Sequence, residues 1–164
     1  MFREMRRKKQ LLPDAVSREI LERNTSGVLS LMGEEGYPYG VPLSYVLVGH
    51  KIFFHCAKTG HKIDAIRNCE KASFCVIDQD RIVSEEYTTY FRSVIAFGRV
   101  HILENEEEKM HAIRILAGKY SGNQGAEGID REIGKNFANL CMIQFDIEHL
   151  TGKEAIELVR MKEK

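Results

Sequence analysis

The chain has 164 residues, and 24 Lys and Arg balance 24 Asp and Glu, so the formal net charge is zero. Hydrophobic residues make up 43% and charged residues 29%, which is typical of a single globular domain. A neutral balance creates no long-range field toward nucleic acid, and no apolar run reaches the roughly 20 residues of a membrane span. We therefore expect one domain over residues 1–164 that binds neither nucleic acid nor membrane.

Two further features concern the N-terminus and the cysteines. A basic cluster runs from Arg3 to Lys9 with no apolar stretch after it, unlike a secretory signal, so we expect residues 1–12 to be flexible and the protein to be cytoplasmic. The cysteines show neither C-x-x-C pairing nor metal-ligand spacing. We expect reduced thiols that pack as small hydrophobes, without a metal, at Cys56, Cys69, Cys75 and Cys141.

The first predicted element is a helix over residues 14–22, where Pro13 and Asp14 supply the start signal. Strands are predicted over residues 27–32, 39–48 and 51–57, and the two-residue break at Gly49-His50 is typical of a hairpin. Pro42 lacks a backbone N–H group, so we expect it at a sheet edge or a bulge.

The second half of the chain alternates less regularly. It is predicted to form a short helix (59–68), strands (71–77 and 90–103), a helix starting at Asn105, a glycine-rich loop (121–128), a helix around Ile129, Ile133 and Phe137, and a last strand (140–149). Strands in meander order with local connections favour an antiparallel sheet that closes on itself. The predicted fold class is therefore mainly β, a barrel with peripheral helices.

A candidate anion site lies where the third strand ends and the short helix begins. Lys58, His61 and Lys62 cluster there, and helix N-termini carry unpaired N–H groups that bind phosphate. The alternative is a surface helix with solvated lysines. His55 ends an apolar strand, where histidines more often have a structural role, but beside a redox cofactor it could donate a proton. The glycine-rich loop matches no nucleotide-binding motif.

Several segments resemble one known family. Residues 36–43 (GYPYGVPL), 52–57 (IFFHCA) and 60–62 (GHK) are similar to the pyridoxamine-phosphate-oxidase-like flavin barrels, and residues 91–98 (FRSVIAFG) and 151–154 (TGKE) resemble the nitroimidazole-resistance branch. The resemblance runs from the first helix to Glu154. It implies an antiparallel split β-barrel, the FMN-binding split barrel, and a homodimer with FMN at the subunit interface.

The resemblance also implies roles for particular residues. The isoalloxazine ring would be lined by Val41, Pro42, Leu43, Ser44 and Tyr45. His55 and Cys56 would touch the ribityl–phosphate region or the ring edge, mostly through backbone, and His55 matches a histidine proposed as an active-site residue. Lys62 with His61 would hold the phosphate, where the family often has Arg in place of His61; the other cofactor-binding candidates are Lys58, Ser93 and, from the neighbouring subunit, Lys153.

The leading functional hypothesis is an FMN-dependent oxidoreductase that reduces a small electrophile such as a nitroaromatic compound, with NAD(P)H as a donor that leaves no motif. True pyridoxamine-phosphate oxidases end in an Arg/His-bearing segment, whereas residues 154–164 form a charged tail, so we do not expect pyridoxal phosphate synthesis. The alternatives are a non-catalytic flavin-binding sensor or stress protein, a barrel for deazaflavin F420 or haem, and a barrel that acts through its dimer surface without a cofactor.

Overall fold

Eight antiparallel strands form one sheet in the computed structural model, which describes residues 1–163. The hydrogen-bonded order is β3-β2-β6-β7-β8-β5-β4, and β1 pairs with β8. The strands are β1 (Leu11–Leu12), β2 (Ser26–Met32), β3 (Pro38–Ser44), β4 (Val46–Val48), β5 (Lys51–Ala57), β6 (Lys71–Val83), β7 (Thr88–Ile102) and β8 (Leu140–Glu154). The predicted split barrel with peripheral helices is confirmed.

The sheet does not close on itself as the meander order predicted. Its path ends at β3 on one side and β4 on the other, and within residues 1–163 no ladder joins β3 to β4 or β5. The reason lies at Tyr45, where the strand predicted over residues 39–48 is interrupted. The opening between β3 and β5 is called the seam below. Pro42 lies on β3, at the edge of the sheet, where its missing N–H group is tolerated as expected.

The break at Tyr45 is fixed by side-chain hydrogen bonds. The Tyr45 ring is fully buried, and its hydroxyl donates to the carbonyl oxygen of Leu21 at 2.6 Å. The Tyr45 N–H group, which pairs with no strand, donates to the Tyr120 hydroxyl at 2.9 Å. The chain can therefore turn from β3 into β4 without leaving a buried donor unpaired.

In the part of the chain that the structure describes, five α-helices surround the sheet: α1 (Asp14–Arg23), α2 (His61–Asn68), α3 (Glu106–Ser121), α4 (Gly125–Asn136) and α5 (Ile156–Lys162). The glycine-rich loop predicted over residues 121–128 is shorter than expected, because α4 already begins at Gly125. The apolar face of α4 packs Ile133 against the outside of the barrel, which outweighs the poor helix propensity of the glycines. Within residues 1–163, none of the helices combines the length and apolarity required to span a bilayer.

The buried apolar residues form two cores on opposite sides of the sheet. The barrel interior contains Phe54, Phe74 and Phe145, and α1 and α2 close it with Ile20 and Ile63. A second core lies outside the barrel, and its main members are Val46, Phe53, Ala112, Leu116, Ile133 and Met142. Residues of β5 alternate between the two cores, as the period of a strand requires.

Strands β6, β7 and β8 are longer than predicted. The β6–β7 ladder and the β7–β8 ladder each contain a bulge. Asp78 is the extra residue of β6 opposite β7, and Glu148 is the extra residue of β8 opposite β7. At the second bulge the Asp146 carbonyl lies against Gly98, where any Cβ atom would collide with it. The bulges increase the local twist, so these long strands can curl into a barrel.

The end of the segment expected to be flexible is attached to the barrel. Leu11 and Leu12 pair with Lys153 and Gly152 of β8, and Leu12 enters the inner core. The buried Gln10 side chain donates to the carbonyl oxygen of Glu154 at 2.9 Å. At the other end of the chain, Lys162 of α5 donates to the Glu154 carboxylate at 2.7 Å.

Candidate functional site

A cavity of about 190 Å³ lies at the seam, bounded by β3, the end of β5 and the start of α2. It is called the seam cavity and is lined by Tyr39, Cys56, Ala57, Thr59, Gly60, His61, Lys62 and Ile63. It exists because β3 and β5 do not pair, so the first turn of α2 is reached from solvent between them. The structure thus brings three of the cofactor-binding candidates, Cys56, His61 and Lys62, to one cavity.

The backbone at this cavity is arranged to accept an anion. Gly60 precedes α2 with φ of 119° and ψ of 173°, a conformation that side-chain-bearing residues rarely adopt. Its carbonyl oxygen accepts from the N–H groups of Ile63 and Asp64, at 2.9 and 3.2 Å. Ile63 is the first residue of α2 whose N–H group has an acceptor within the helix, so the N–H groups of His61 and Lys62 have none there. Among the described residues, no side chain caps the helix. Two donors therefore stay available at the positive end of the helix dipole.

Side chains add an aromatic wall to this cavity. The rings of Tyr39 and His61 stack with centroids 4.1 Å apart and an interplanar angle of 21°. The stack holds the His61 ring against β3, and Lys62 adds a positive charge to the lining of the cavity. Gly60 was not among the sequence candidates. The position of Gly60 between a strand end and a basic helix start was the available signal.

His55 does not face the seam cavity, although it is adjacent to Cys56. It lies on the opposite face of β5 and lines a cavity of about 630 Å³ between the sheet and helices α3 and α4. This helix cavity has apolar walls at Ile113, Ile129 and Leu140, with Arg131 and Glu132 also among its lining residues. A strand alternates its side chains, so the two neighbours belong to cavities separated by the thickness of one strand.

Lys58 also lies outside the seam cavity. It borders a third cavity of about 310 Å³ with Arg67 and Lys109, and this basic cavity also contains Glu104, Glu106, Leu140 and Cys141. Lys58 therefore shares its surroundings with Cys141, and not with Lys62.

The residues predicted to line a flavin ring fall on both faces of the sheet. Val41 and Leu43 point inward and pack on the inner core, as does the buried Tyr45. Pro42 and Ser44 are exposed on the outside. The edge of β3 that faces the seam has backbone groups that no strand pairs within residues 1–163. Contacts from Val41 and Leu43 to a ligand would therefore come from the backbone.

Ser93 and Lys153 lie on strands β7 and β8 in the middle of the sheet, on its outer side. They are direct partners across β7 and β8, and Ile77 is paired with Ser93 on the other side. The same face continues through Val28, Cys75 and Ile95, which are paired in one row. We call these residues the outer face. It is apolar although exposed: Ile77 is 65% exposed, and Val28 and Ile95 are each 39% exposed.

No group of three or more His, Cys, Asp or Glu side chains with metal-ligand geometry occurs in the part of the chain that the structure describes.

Comparisons with known proteins place this geometry in context. The sequence profile of the family described as pyridoxamine 5'-phosphate oxidase matches residues 13–154. The search of functionally curated proteins gave no match. Among solved structures, the fold is similar to a candidate 5-nitroimidazole antibiotic resistance protein from Bacteroides thetaiotaomicron, with 19% identity, a TM-score of 0.72 and coverage of 88% of this chain and 86% of that one.

Two further solved structures share the fold. An FAD-binding protein from Mesorhizobium loti is 20% identical with a TM-score of 0.61, over 89% of this chain and 97% of that one. An FAD- and haem-binding protein from Mycobacterium smegmatis is 17% identical with a TM-score of 0.73, over 90% of this chain and 73% of that one. At these identities the similarity establishes the fold.

Proposed function

Because the chain belongs to the pyridoxamine 5'-phosphate oxidase family, we propose that it binds FMN, with the phosphate of the flavin in the seam cavity. The observation that carries this proposal is the start of α2, where two unpaired N–H groups, Lys62 and the Gly60 turn meet in one opening. A single terminal phosphate matches one helix N-terminus with one adjacent cation. The FAD-binding proteins of the same fold support a flavin as the cofactor.

The ring of the flavin would lie along the unpaired edge of β3, next to Val41–Tyr45. Backbone N–H and C=O groups of such an edge can bind the polar rim of an isoalloxazine without help from side chains. Val41 and Leu43, whose side chains point inward, would therefore border the ring through their backbone.

A second copy of the chain would complete the site. The outer face exposes apolar residues in paired rows and includes Ser93 and Lys153, two of the predicted flavin contacts. Exposed apolar patches of this kind typically become interfaces. We therefore propose a homodimer in which the outer face of one protomer covers the flavin of the other.

The proposed reaction is the reduction of a small electrophile such as a nitroaromatic compound, with NAD(P)H as the electron source. The bound flavin would supply the electron-transfer chemistry. The electrophile must contact the flavin ring, so we place it where the ring, next to Tyr45, would meet the helix cavity: Tyr120 at the end of α3 bonds the Tyr45 backbone, and Ser121 lines that cavity. His55 lines the same largely apolar cavity, and we assign proton donation to its imidazole. The similarity in fold to a candidate 5-nitroimidazole resistance protein supports the proposal of this substrate class.

The test is an absorption spectrum of the purified protein before and after incubation with FMN and desalting, followed by titration. Retained flavin bands are expected. Lys62→Ala removes a charge-assisted bond to the phosphate, worth about 1.5–3 kcal/mol, so the FMN dissociation constant should rise about 10- to 100-fold. Lys51→Ala, a lysine at the opposite end of β5, is the matched control and should leave the affinity unchanged.

A second variant separates binding from turnover. His55→Gln should leave FMN affinity unchanged, because His55 and the seam cavity lie on opposite faces of β5, and should slow nitroaromatic reduction about 100-fold or more. Protein that holds FMN but reduces no electrophile with any donor would favour the non-catalytic sensor. A Soret band without flavin bands would contradict the FMN assignment in favour of haem.

A further inference from the structure

Cys56 and Cys141 are directly opposite each other across β5 and β8. Side chains of directly paired residues lie on the same face of a sheet, and here both contact the inner core. Opposite residues in an antiparallel pair have Cα atoms about 4.5–5.5 Å apart, inside the range of about 4.4–6.8 Å that disulfides use. The backbone therefore needs little movement to join the two sulfurs.

Both thiols are reached from a cavity. Cys141 borders the basic cavity of about 310 Å³, and Cys56 borders the seam cavity. The remaining cysteines differ in this respect. Cys75 lies on the outer face between Val28 and Ile95, and Cys69 follows the end of α2. Neither is paired with a cysteine in the sheet.

The charges around Cys141 favour its thiolate. The hydrogen bond from Cys56, against the effect of burial, lowers the pKa of Cys141 to about 7, and the positive charges of Lys109, Arg67 and Lys58 contribute. Glu104 and Glu106 line the same cavity and oppose part of that effect. The pKa of Cys56 is raised by its hydrogen bond to Cys141 and by burial, so Cys56 stays a thiol while Cys141 ionises. One nucleophile and one resolving thiol are thus placed side by side.

We propose that Cys56 and Cys141 form a reversible cross-strand disulfide when the protein meets a hydroperoxide. The Cys141 thiolate attacks the peroxide oxygen, the O–O bond breaks, and a sulfenic acid forms as hydroxide or an alkoxide leaves and takes a proton from the solvent. The Cys56 sulfur then attacks the Cys141 sulfur, the S–O bond breaks, and the departing hydroxide takes the Cys56 proton as water. The peroxide is reduced by two electrons, and a dithiol reductant restores both thiols.

The experiment uses the Cys69→Ser/Cys75→Ser double variant, which retains only the proposed pair. After brief exposure to stoichiometric hydrogen peroxide, its intact mass should fall by about 2 Da, which corresponds to the loss of two hydrogens, and its free thiols should fall from two to none. Treatment with dithiothreitol should reverse both changes. Peptide mapping should join the peptides that contain Cys56 and Cys141.

The matched control is Cys56→Ser in the same background. It lacks the resolving thiol, so its mass should rise by about one oxygen, or about two after further oxidation, and no disulfide should form. A mass gain in place of the loss in the double variant, thiols that survive the peroxide, or disulfides only between two molecules would overturn the proposal. The test needs no flavin, so its outcome is independent of the proposed FMN site.

Discussion

Asp78 shows how a single bulge residue organises charge at one end of the barrel. Its carboxylate is nearly buried and accepts hydrogen bonds from Arg23 at 2.9 Å and from Asn24 at 2.9 Å, with Arg92 at 3.5 Å. Arg92 also forms an ion pair with Glu154, and Glu154 forms a second ion pair with Lys162. The Nε atom of Arg92 has no partner in the structure, which fits a guanidinium shared between two carboxylates at long distances.

Replacement of Asp78 should have a pH-dependent cost. Burial by itself raises the pKa of Asp78, but the hydrogen bonds from Arg23, Asn24 and Arg92 outweigh it and lower the pKa below its ordinary value. A lowered pKa stabilises the fold above the unfolded-state value of about 3.9, and this contribution is lost as the pH falls through the folded-state value. Asp78→Asn should therefore lower the unfolding free energy by about 1–3 kcal/mol at pH 7, and the difference should shrink between about pH 4 and pH 2.

Denaturant unfolding of the two proteins at several pH values checks this prediction. The control is Asp130→Asn, which removes the exposed ion pair with Arg114. Exposed pairs contribute about 0–1 kcal/mol, so the control should differ little from the parent protein at any pH. A pH-independent cost for Asp78→Asn would show that shape and not charge makes Asp78 important.

At the scale of elements, the break between β3 and β4 depends on α3. The Tyr120 hydroxyl accepts from the Tyr45 N–H group, and it lies 2.7 Å from the Tyr45 carbonyl oxygen and close to that of Thr25. One hydroxyl thereby serves the backbone of both segments just beyond the last pair of the β2–β3 ladder, Ser26 and Ser44. Lys119 contacts the Asn24 carbonyl and the Tyr45 ring from the same turn of α3.

Tyr120→Phe should destabilise the fold by about 1–3 kcal/mol, because the Tyr45 N–H group loses its acceptor in a partly buried position. Thermal unfolding measures the effect. Tyr37→Phe is the control, since the Tyr37 side chain is 73% exposed, and it should leave the melting temperature unchanged. Equal melting temperatures for both variants would mean that water replaces the Tyr120 hydroxyl.

The elements that the sequence predicted well are those with strong local signals. The helix that starts after Asn105 is an example, because the Asn105 side chain caps it by accepting from the N–H groups of Glu107 and Glu108. The extensions of β6 and β8 beyond residues 77 and 149 were missed. Polar residues and bulges at Asp78 and Glu148 break the alternation there, and only pairing with a distant strand keeps these segments extended.

The sequence predicted only part of the candidate site, again because it reveals local patterns more readily than contacts between distant segments. The basic turn at residues 58–62 is a local pattern, and the structure places its Lys62 at a helix start beside a cavity. The separation of His55 from Cys56 followed from the period of a strand and could have been predicted. The helix cavity could not, because α3 and α4 supply its other walls from residues more than 50 positions away.

At the scale of the whole molecule, the outer face determines how copies of the chain would meet. Ile95→Glu places a charge in the middle of its apolar rows and should convert the proposed dimer into a monomer. Light scattering coupled to size exclusion reports the mass directly. Val48→Glu is the matched control, because Val48 is 38% exposed, close to the 39% of Ile95, and lies on the end strand β4, three strands away from β7.

If the Ile95→Glu variant is monomeric, its affinity for FMN should also fall, since Ser93 and Lys153 would no longer reach the ring of the other protomer. A dimer that persists in this variant, with the parent protein also dimeric, would place the interface elsewhere. A parent protein that is monomeric at all concentrations would contradict the proposed homodimer itself.

An N-terminal segment and a C-terminal segment of the chain meet at Glu154, and this has a topological consequence. Gln10 binds its carbonyl oxygen and Lys162 binds its carboxylate, so the two segments lie side by side although they are 152 positions apart. A short glycine-rich linker could therefore join them, and the chain could be reopened at the Ser84–Glu86 turn between β6 and β7. The circular permutant would keep every strand pair of the barrel and would exchange only which loop is cut.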